Sequence, residues 1–326
     1  MIPVFFNVNH DYTQHLCVTI ASILCNSKAQ FKFYIMHVSL TEADRGMIES
    51  MKIIRPFEVE YIDFNGLQEQ IAPFNVDIEH ITIDASYRLL MPYIKPELQK
   101  ALYIDSDLVV CADLQEMWDI DVKDVCCAGA SDYVDNITGK RGELYGSKFY
   151  FNSGVLVLNL ERIRQRLKFD DFVEIARKYR EYIYYTDQDV LNLAFSGNVT
   201  ALPPRWNVTD NMVARILSKN ITKDTQRNLL EAFSAPAICH YAGAMKPWVV
   251  PCGPHSSYYA DVYFYYLRMT PYAGREAGIR AAYSRVKASL RLWARHPFQA
   301  FKKKFWLKRR MRRMARDFEQ RHFQNK

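Results

Sequence analysis

Two aspartates that close a short apolar segment are the first candidates for chemistry. Asp105 and Asp107 follow the run Ala-Leu-Tyr-Ile, a pattern typical of a buried strand. Carboxylates at the end of a buried strand are costly unless a cation compensates them. Oxygen ligands two residues apart suit a hard divalent ion. The alternative is a pair of solvated loop carboxylates or a helix N-cap, and the spacing alone leaves both interpretations open.

The same Asp-X-Asp spacing occurs at two further places in the chain. Asp119 and Asp121 lie in a polar stretch, which favours solvated surface carboxylates. Asp187 and Asp189 flank Gln188 at the beginning of an apolar helical pattern. An N-cap or an acidic first turn stabilises a helix by about 1 kcal/mol. This structural interpretation competes with a chemical one, for Asp189 in particular.

A histidine, a glycine and a lysine follow one another closely near residue 240. His240 comes directly after an apolar run, and Lys246 lies six residues later with Gly243 between them. A lone histidine is more often a satisfied interior group than a ligand. Here the glycine permits close backbone approach to a phosphate, and the lysine supplies a point charge. Together with the carboxylates, these residues predict a metal–diphosphate site. The sequence has no Gly-X-X-X-X-Gly-Lys, Gly-X-Ser-X-Gly or His-Glu-X-X-His motif to compete with it.

Apolar segments alternate with helical patterns through the first half of the chain. The segments predicted as strands are 4–8, 31–36, 57–62, 101–104, 125–130 and 155–158. Helices are predicted after Thr41 and over 86–94. This alternation indicates an α/β fold with a mostly parallel sheet covered on both faces. Because ligands bind beyond the carboxyl ends of such strands, residues just after them are candidates. They are Asn9, Asp11, Asp105, Asp107 and Asp132.

Charge divides the chain into two parts. The 326 residues carry a net +7, but residues 1–267 have a net charge of −8 and residues 268–326 a net charge of +15. We therefore predict a globular domain over 1–267 and a basic tail over 268–326. The sequence has no apolar run long enough for a membrane span and no signal-peptide pattern. Its seven cysteines fit no disulfide framework, which indicates reduced thiols in a cytoplasmic protein.

Apolar residues recur at helical spacing along the basic tail. A basic amphipathic helix with aromatic residues suits an anionic bilayer surface, which predicts a peripheral attachment to the inner face of the cytoplasmic membrane. Nucleic acid would attract the same charge, but the apolar stripe favours the membrane and no nucleic-acid partner is expected. The other alternative is a helical pair packed on the domain with solvated basic residues. The apolar positions are Ile279, Tyr283, Val286, Leu290, Trp293, Leu307, Met311, Met314 and Phe318.

Five short segments in this order resemble glycosyltransferase family 8, in particular its bacterial lipooligosaccharide and lipopolysaccharide galactosyltransferases and glucosyltransferases. The resemblance extends from the first strand to Trp248. It implies a GT-A (Rossmann-like) fold, a UDP-sugar donor and retention of anomeric configuration. The segments are Tyr87-Arg88-Leu89-Leu90, Leu102-Tyr103-Ile104-Asp105-Ser106-Asp107, Tyr150-Phe151-Asn152-Ser153-Gly154-Val155-Leu156, Asp187-Gln188-Asp189 and His240-Tyr241-(X)-Gly243-(X)-(X)-Lys246-Pro247-Trp248.

The resemblance assigns a role to each candidate. Asp105, Asp107 and His240 match ligands of a Mn²⁺ ion, with Mg²⁺ as the other choice, that bridges the donor diphosphate. Gly243 and Lys246 match the other side of that clamp. Residues that match the donor-sugar and uridine contacts, with Asp105 shared, are Arg88, Asn152, Asp187, Gln188, Asn7, Asn9 and Tyr12.

The resemblance also implies a reaction and an acceptor. Retaining enzymes usually employ a carboxylate nucleophile, whereas Gln188 is an amide at the matching place and Asp187 stands beside it. We therefore expect same-face attack by the acceptor hydroxyl, with the leaving phosphate taking its proton. His80 matches a region that contacts the acceptor, although an ordinary surface histidine is an equal alternative.

The expected activity is transfer of a hexose, galactose in preference to glucose, to a lipid-linked oligosaccharide. The alternative is a non-catalytic UDP-sugar-binding protein of the same fold. Asn9 and Asp11 exchange an amide and a carboxylate relative to the family's usual pattern, which affects individual base contacts.

Overall fold

The computed structural model of the chain describes residues 1–65, 83–133, 149–243, 246–249, 257–281 and 303–324. The chain forms two compact units. Unit 1 comprises Met1–Thr13, Ser27–Ser106 and Leu114–Pro203, and unit 2 comprises Gln14–Asn26, Asp107–Asp113 and Pro204–Lys326. The division of the sequence into 1–267 and 268–326 stays a prediction.

Strands and helices alternate along the chain. The strands are β1 Ile2–Asn7, β2 Phe31–His37, β3 Glu58–Asp63, β4 Lys100–Ile104, β5 Leu108–Val110, β6 Cys127–Ser131, β7 Phe151–Asn159, β8 Val199–Ala201 and β9 Ile238–His240. The α-helices are α1 Thr13–Asn26, α2 Glu42–Ser50, α3 Met91–Ile94, α4 Leu114–Trp118, α5 Leu160–Arg166, α6 Phe169–Lys178, α7 Thr186–Ala194, α8 Asp210–Ile216, α9 Lys223–Ser234, α10 Ala260–Leu267 and α11 Lys303–Gln324. The 3₁₀ turns are His10–Tyr12, Met51–Ile53, Ile83–Leu90, Arg180–Tyr182 and Pro204–Trp206.

Unit 1 is organised around one sheet with the strand order β3-β2-β1-β4-β7-β6-β8. Strand β7 runs antiparallel to β4 and β6, and the other neighbouring strands are parallel. This confirms the predicted α/β fold with a mostly parallel sheet. Each of the six predicted strands lies on a strand of this sheet. Strands β5, β8 and β9 were not predicted, because three residues are too few to show the alternation of apolar and polar residues that marks a strand.

Local sequence explains where two of the predicted helices begin. The Thr41 hydroxyl accepts from the Asp44 N–H and the Asp44 carboxylate from the Thr41 N–H, which forms the capping box that begins α2. The predicted helix over 86–94 is instead a 3₁₀ turn over Ile83–Leu90 followed by α3. Pro92 explains this difference, because a proline ring fits only the first turn of an α-helix.

Stacked aromatic rings form part of the core of unit 1. Phe5 stacks on Tyr34 with ring centroids 4.7 Å apart, and Phe64 stacks on Tyr87 at 4.4 Å. Such pairs contribute about 0.5–1.5 kcal/mol each beyond the burial of their area. Tyr87 is next to Arg88, so this packing fixes the backbone that presents the guanidinium. The cysteines of the described ranges are unpaired.

A two-stranded antiparallel sheet of β5 and β9 lies in unit 2 and pairs Leu108 with His240. Helix α1 holds β5 through two hydroxyl contacts. The Thr19 hydroxyl donates to the Leu108 carbonyl at 2.7 Å, and the Ser22 hydroxyl accepts from the Val110 N–H at 2.9 Å. The short ladder therefore brings Asp107, just before β5, to the end of β9.

Helix α11 packs within unit 2 along its apolar face. Met311 and Ala315 are buried, and Phe318 contacts Tyr259 edge-on at 5.8 Å. His322 forms a 2.6 Å hydrogen bond with the Tyr266 hydroxyl. Most of the predicted apolar stripe over 279–293 lies outside the described residues. No helix in the described ranges has both the length and the apolar character required to cross a membrane.

Candidate active site

In unit 1, Asp105 follows β4 and is anchored on three sides. Its N–H donates to the Gly154 carbonyl at 2.8 Å. Its Oδ1 accepts from the Tyr103 hydroxyl at 2.8 Å and from Arg88 Nη2 at 3.2 Å. These contacts hold the carboxylate in one orientation at the carboxyl end of the strand, where the sequence predicted it.

Arg88 is the buried cation that compensates the carboxylates of unit 1. Its Nε lies 3.0 Å from Asp187 Oδ2, and its Nη1 donates to the carbonyl and hydroxyl oxygens of Ser153 at 2.8 and 2.9 Å. The guanidinium also lies over the Tyr103 ring, 4.4 Å from the centroid. One guanidinium thus pairs with two carboxylates, Asp105 and Asp187, so the group has a net negative charge when both are ionised.

Asp187 is a buried carboxylate with an altered titration. Burial raises the pKa of Asp187 to about 6, Arg88 opposes this shift, and the negative charge of Asp105 adds to it. Its Oδ2 is buried and has the ion pair with Arg88 but no hydrogen bond. A buried acceptor of this kind can receive a hydroxyl group of a ligand.

Gln188 is held by hydrogen bonds at both ends of its side-chain amide. Its Oε1 accepts from Asn152 Nδ2 at 3.0 Å and from the Ser153 N–H at 3.1 Å. Its Nε2 donates to Asp132 Oδ2 at 3.0 Å and to the Tyr150 hydroxyl at 3.1 Å. Because both lone pairs of the carbonyl oxygen are used, the amide has one fixed orientation and a poorly nucleophilic oxygen.

Asp132 and Tyr150 also belong to this group, and of the two only Asp132 was a candidate from the sequence. Asp132 Oδ2 also accepts from Asn152 Nδ2 at 3.1 Å. Asp132 directly follows β6, which is the position after a strand that made it a candidate. Tyr150 carried no such signal, because its role depends on a contact across 38 residues to Gln188.

Asp189 has a structural role in unit 1. Its Oδ2 accepts from the N–H groups of Tyr184 and Tyr185 at 2.6 and 2.7 Å, and its Oδ1 accepts from the Tyr150 hydroxyl at 2.6 Å. The carboxylate thus binds the backbone N–H groups just before α7. This supports the helix-start interpretation for Asp189 and leaves Asp187 and Gln188 as the candidates for chemistry.

In unit 2, Asp107 and His240 meet side by side. Asp107 Oδ1 lies 3.2 Å from His240 Nε2. The Nδ1 of His240 is 2.8 Å from Asn207 Oδ1, an acceptor, so Nδ1 carries a proton and the lone pair of a neutral ring is on Nε2. A lone pair facing a carboxylate oxygen requires a proton or a cation between them. Metal-binding histidines are oriented by the same kind of partner on the other nitrogen.

Lys246 completes the charged group of unit 2. Its Nζ donates to Asp107 Oδ2 at 2.5 Å and to the Tyr241 carbonyl at 2.8 Å. Burial alone would raise the pKa of Asp107, but the hydrogen bonds and charges of His240 and Lys246 outweigh it and hold that pKa well below its usual range. Asp107 therefore stays a carboxylate throughout the physiological pH range.

Gly243 packs directly against Asp210, a residue that sequence reasoning missed. A Cβ atom on Gly243 would lie 2.8 Å from Asp210 Oδ2. Burial raises the pKa of Asp210 to about 6, against the positive charges of Lys246 and His240. Thr209 caps α8 immediately before Asp210, and that capping pattern was the only local signal.

The candidates near the N-terminus lie at the end of β1. Asn7 Oδ1 is buried and has no hydrogen-bond partner. Asn9 Oδ1 accepts from the Tyr12 N–H at 3.1 Å and caps the 3₁₀ turn His10–Tyr12. Asn7 therefore retains an acceptor that a ligand N–H could use, whereas the Asn9 side chain is occupied by its own turn. His80 lies outside the described residues.

Comparisons with known proteins identify the family of this chain. The model of the family described as glycosyl transferase family 8 matches residues 3–250. The chain is 30% identical over 272 residues to the lipopolysaccharide 1,2-glucosyltransferase of Escherichia coli, which covers 75% of this chain and 72% of that protein. It is 26% identical over 269 residues to general stress protein A of Bacillus subtilis, which covers 80% of this chain and 91% of that protein.

Solved structures give the same result. An active-site mutant of LgtC resembles this chain with a TM-score of 0.72 and 25% identity, covering 83% of this chain and 96% of LgtC. The galactosyltransferase LgtC in complex with donor and acceptor sugar analogues has a TM-score of 0.70, also at 25% identity. The fold and these likenesses define a glycosyltransferase of the GT-A type. The chain belongs to glycosyl transferase family 8.

Proposed function

We propose that this glycosyltransferase moves a hexose from a UDP-sugar to a sugar of a lipooligosaccharide or lipopolysaccharide acceptor, with retention of configuration. The observation that carries the proposal is the contact of Asp107 with both His240 and Lys246, two residues after the anchored Asp105. This combination of anionic, imidazole and cationic groups suits a diphosphate with its metal ion. The likeness to a lipopolysaccharide 1,2-glucosyltransferase and to the galactosyltransferase LgtC supports the hexose and the acceptor class.

The residues that would hold the ion are Asp105, Asp107 and His240. Two carboxylates and one imidazole suit Mn²⁺, and Mg²⁺ is the other candidate. When bound, the ion would neutralise negative charge that develops on the departing UDP. The lone pair of His240 Nε2, directed by the Asn207 contact, is the feature of this chain that fits a metal.

Lys246 and Gly243 would bind the diphosphate on its other side. The Lys246 ammonium already pairs with an oxygen anion, Asp107 Oδ2, and a phosphate oxygen is a similar partner. Gly243 would present its backbone to the phosphates, while Asp210 fills the space that a Cβ atom would need. Asn7, Asn9 and Tyr12 are the residues proposed for the uridine, with the buried acceptor of Asn7 suited to an N–H of the base.

The donor hexose would contact Arg88, Asn152, Asp187 and Gln188. The buried Asp187 Oδ2 can accept a hydrogen bond from a sugar hydroxyl. Asp105 and Asp187 hold the guanidinium of Arg88 in place from two sides. The polar atoms of this group are thus oriented before the sugar binds, which lowers the entropic cost of binding.

The proposed reaction proceeds on one face of the sugar. The bond from the anomeric carbon to the phosphate oxygen breaks, and its electron pair leaves with UDP. The acceptor oxygen forms the new bond to the anomeric carbon on the same face, and its proton passes to a phosphate oxygen. The two donors on its carbonyl oxygen make Gln188 a poor nucleophile. Its role in this reaction would instead be to stabilise the positive charge on the sugar through the amide dipole.

We also propose that the outward face of α11 attaches the protein to the anionic inner face of the cytoplasmic membrane. The apolar stripe of this helix is buried within unit 2, so the membrane contact falls on exposed arginines. Each basic residue near an anionic surface contributes about 1 kcal/mol to binding. These arginines are Arg309, Arg310, Arg313 and Arg316.

A release assay tests the proposal. Purified protein with Mn²⁺ is given UDP-galactose or UDP-glucose and truncated lipooligosaccharide, and both UDP release and the labelled product are measured. We expect faster turnover with one of the two donors than with the other. The α-linked donor should give an α-configured product, and a chelator should abolish turnover. Binding of UDP without any sugar transfer to a panel of core oligosaccharides would instead favour the non-catalytic alternative.

A further inference from the structure

We propose that His15 is a positioning residue that holds Lys246 for the donor diphosphate by stacking on Trp248. The inference rests on the proposed function, in which Lys246 binds the diphosphate. All three residues belong to unit 2. His15 was not a candidate in the sequence, because it lies in the apolar pattern of α1 far from any motif.

The His15 and Trp248 rings are in face-to-face contact. Their centroids are 3.6 Å apart and their planes differ by 22°. Trp248 also packs at 5.1 Å against Tyr263 and edge-on at 6.2 Å against Tyr241. The indole is thus enclosed by aromatic groups from α1, from α10 and from the residue after β9, and His15 covers its face.

Trp248 in turn controls the position of the lysine. Lys246 lies two residues before it, with Pro247 between them, and the Lys246 ammonium lies 5.3 Å from the centroid of the indole ring. A cation beside an aromatic face is attracted to it by about 0.5–1 kcal/mol or more when desolvated. Because proline fixes one backbone angle of this short connection, a shift of the indole would displace the ammonium from Asp107.

His15 itself is fixed by a chain of hydrogen bonds. Its Nδ1 lies 2.7 Å from the Tyr263 hydroxyl, which also accepts from Gln14 Nε2 at 3.0 Å. Arg275 Nη1 donates to Gln14 Oε1 at 3.1 Å. Burial lowers the pKa of His15 to about 3, an effect that outweighs the opposing charge of Asp107. The ring is therefore neutral at physiological pH, so it supports the indole without adding a positive charge beside Lys246.

The test compares the binding of UDP with that of uridine, which has no phosphate. Affinities are measured by calorimetry in the presence of Mn²⁺ for His15→Ala, His15→Phe, Trp248→Leu and Lys246→Ala. We expect His15→Ala and Trp248→Leu to weaken UDP binding about fivefold, the size of one cation–π or stacking contact, and to leave uridine binding unchanged. His15→Phe, which keeps a stacking ring, restores UDP binding. In a Lys246→Ala background, His15→Ala has no further effect.

His322→Ala is the matched control, because it removes another buried histidine of unit 2 that stacks on an aromatic ring, Phe318, at 5.5 Å. Equal losses of UDP affinity in His15→Ala and His322→Ala, or an equal loss of uridine affinity in His15→Ala, would overturn the positioning role. An unchanged UDP affinity in Lys246→Ala would instead contradict the proposed diphosphate contact. The two failures are therefore distinguishable in one set of proteins.

Discussion

Gly243 and Asp210 are packed so closely that a Cβ atom on Gly243 would lie 2.8 Å from Asp210 Oδ2. We expect Gly243→Ala to lower the free energy of unfolding by about 1–3 kcal/mol, the usual cost of overpacking. Asp210→Ala in the same protein should remove most of that loss. Chemical denaturation of the single and double variants measures both effects.

Gly46→Ala is the control for this substitution, because no atom lies within 4 Å of the added Cβ and the residue is in α2. Alanine is about 0.5–1 kcal/mol more favourable than glycine within a helix, so the control should be stabilised. A Gly243→Ala protein as stable as the wild type would show that Asp210 moves away at little cost.

Asp107 should be necessary for metal-dependent binding of the donor. Asp107→Asn removes the charge that pairs with Lys246 and faces His240. We expect Mn²⁺-dependent binding of UDP to fall by about 100-fold or more, because changes to residues that only support a metal ligand already cost about 10- to 100-fold. Asp105→Asn should behave alike. Calorimetry with and without Mn²⁺ measures this.

Asp121→Asn is the matched control, since Asp121 belongs to the other Asp-X-Asp pair and its carboxylate accepts only from the nearby Lys123 N–H among the described contacts. Undiminished Mn²⁺-dependent binding in Asp107→Asn would refute the metal role.

Gln188 should assist the reaction without forming a covalent bond. We expect Gln188→Ala to lower kcat about tenfold, equivalent to about 1.4 kcal/mol of transition-state stabilisation. A complete loss of turnover, together with a glycosyl adduct on another residue detected by mass spectrometry, would contradict same-face attack. Asn198→Ala, a substitution of a half-buried asparagine in unit 1 whose amide contacts only the nearby Ser196 carbonyl among the described contacts, controls for the loss of a side-chain amide.

Glu319 makes stability depend on pH. Burial raises the pKa of Glu319 from 4.5 to about 7, and the charge of Asp261 adds to the shift. The folded protein therefore binds a proton that the unfolded chain releases between these values, so stability falls as the pH rises from 4.5 to 7. Each unit of pKa difference corresponds to about 1.4 kcal/mol, so the whole effect is about 3 kcal/mol.

Glu319→Gln should remove this part of the pH dependence while an amide oxygen still accepts from the Asp261 N–H. Denaturation at pH 5 and pH 7.5 measures the difference, with Asp317→Asn as the control because Asp317 is exposed on the same helix. The same slope in the wild type and Glu319→Gln would assign the pH dependence to other groups.

The exposed arginines of α11 should determine membrane binding. Replacing Arg309, Arg310, Arg313 and Arg316 by serine should release the protein from anionic vesicles and leave activity on soluble acceptors unchanged. Sedimentation with vesicles of defined anionic content measures this. This variant is sharper than removal of the tail, because removal would expose the partners of Met311, Phe318 and His322. Retention of the serine variant on vesicles would refute the assignment.

The sequence predicted those parts of the site that follow directly from strands and short motifs. Asp105 and Asp107 were located by the buried strand before them, and His240 and Lys246 by their spacing around a glycine. The roles of Asp210, Tyr150 and His15 could not be predicted, since each depends on contacts between segments far apart in the chain. Their local patterns indicate only a helix start, an apolar strand and an apolar helix face.

For the basic tail, too, the sequence predicted the local pattern but not the contact that the pattern makes. Periodicity predicted the amphipathic character of α11, but it contains no information on whether the apolar face meets lipid or protein. The structure shows Met311 and Ala315 buried within unit 2. The sequence pattern is the same in both cases, because each requires one apolar face and one charged face.

Burial of that apolar face has a consequence for geometry. Arg309 and Arg316 are seven residues apart, which corresponds to about 10 Å along a helix, and α11 cannot turn about its own axis without breaking the Tyr266–His322 hydrogen bond. The arginines therefore form a footprint of fixed size and direction on unit 2. A bilayer that bound this footprint would set the tilt of unit 2 relative to the membrane plane, which a flexible charged tail would leave free.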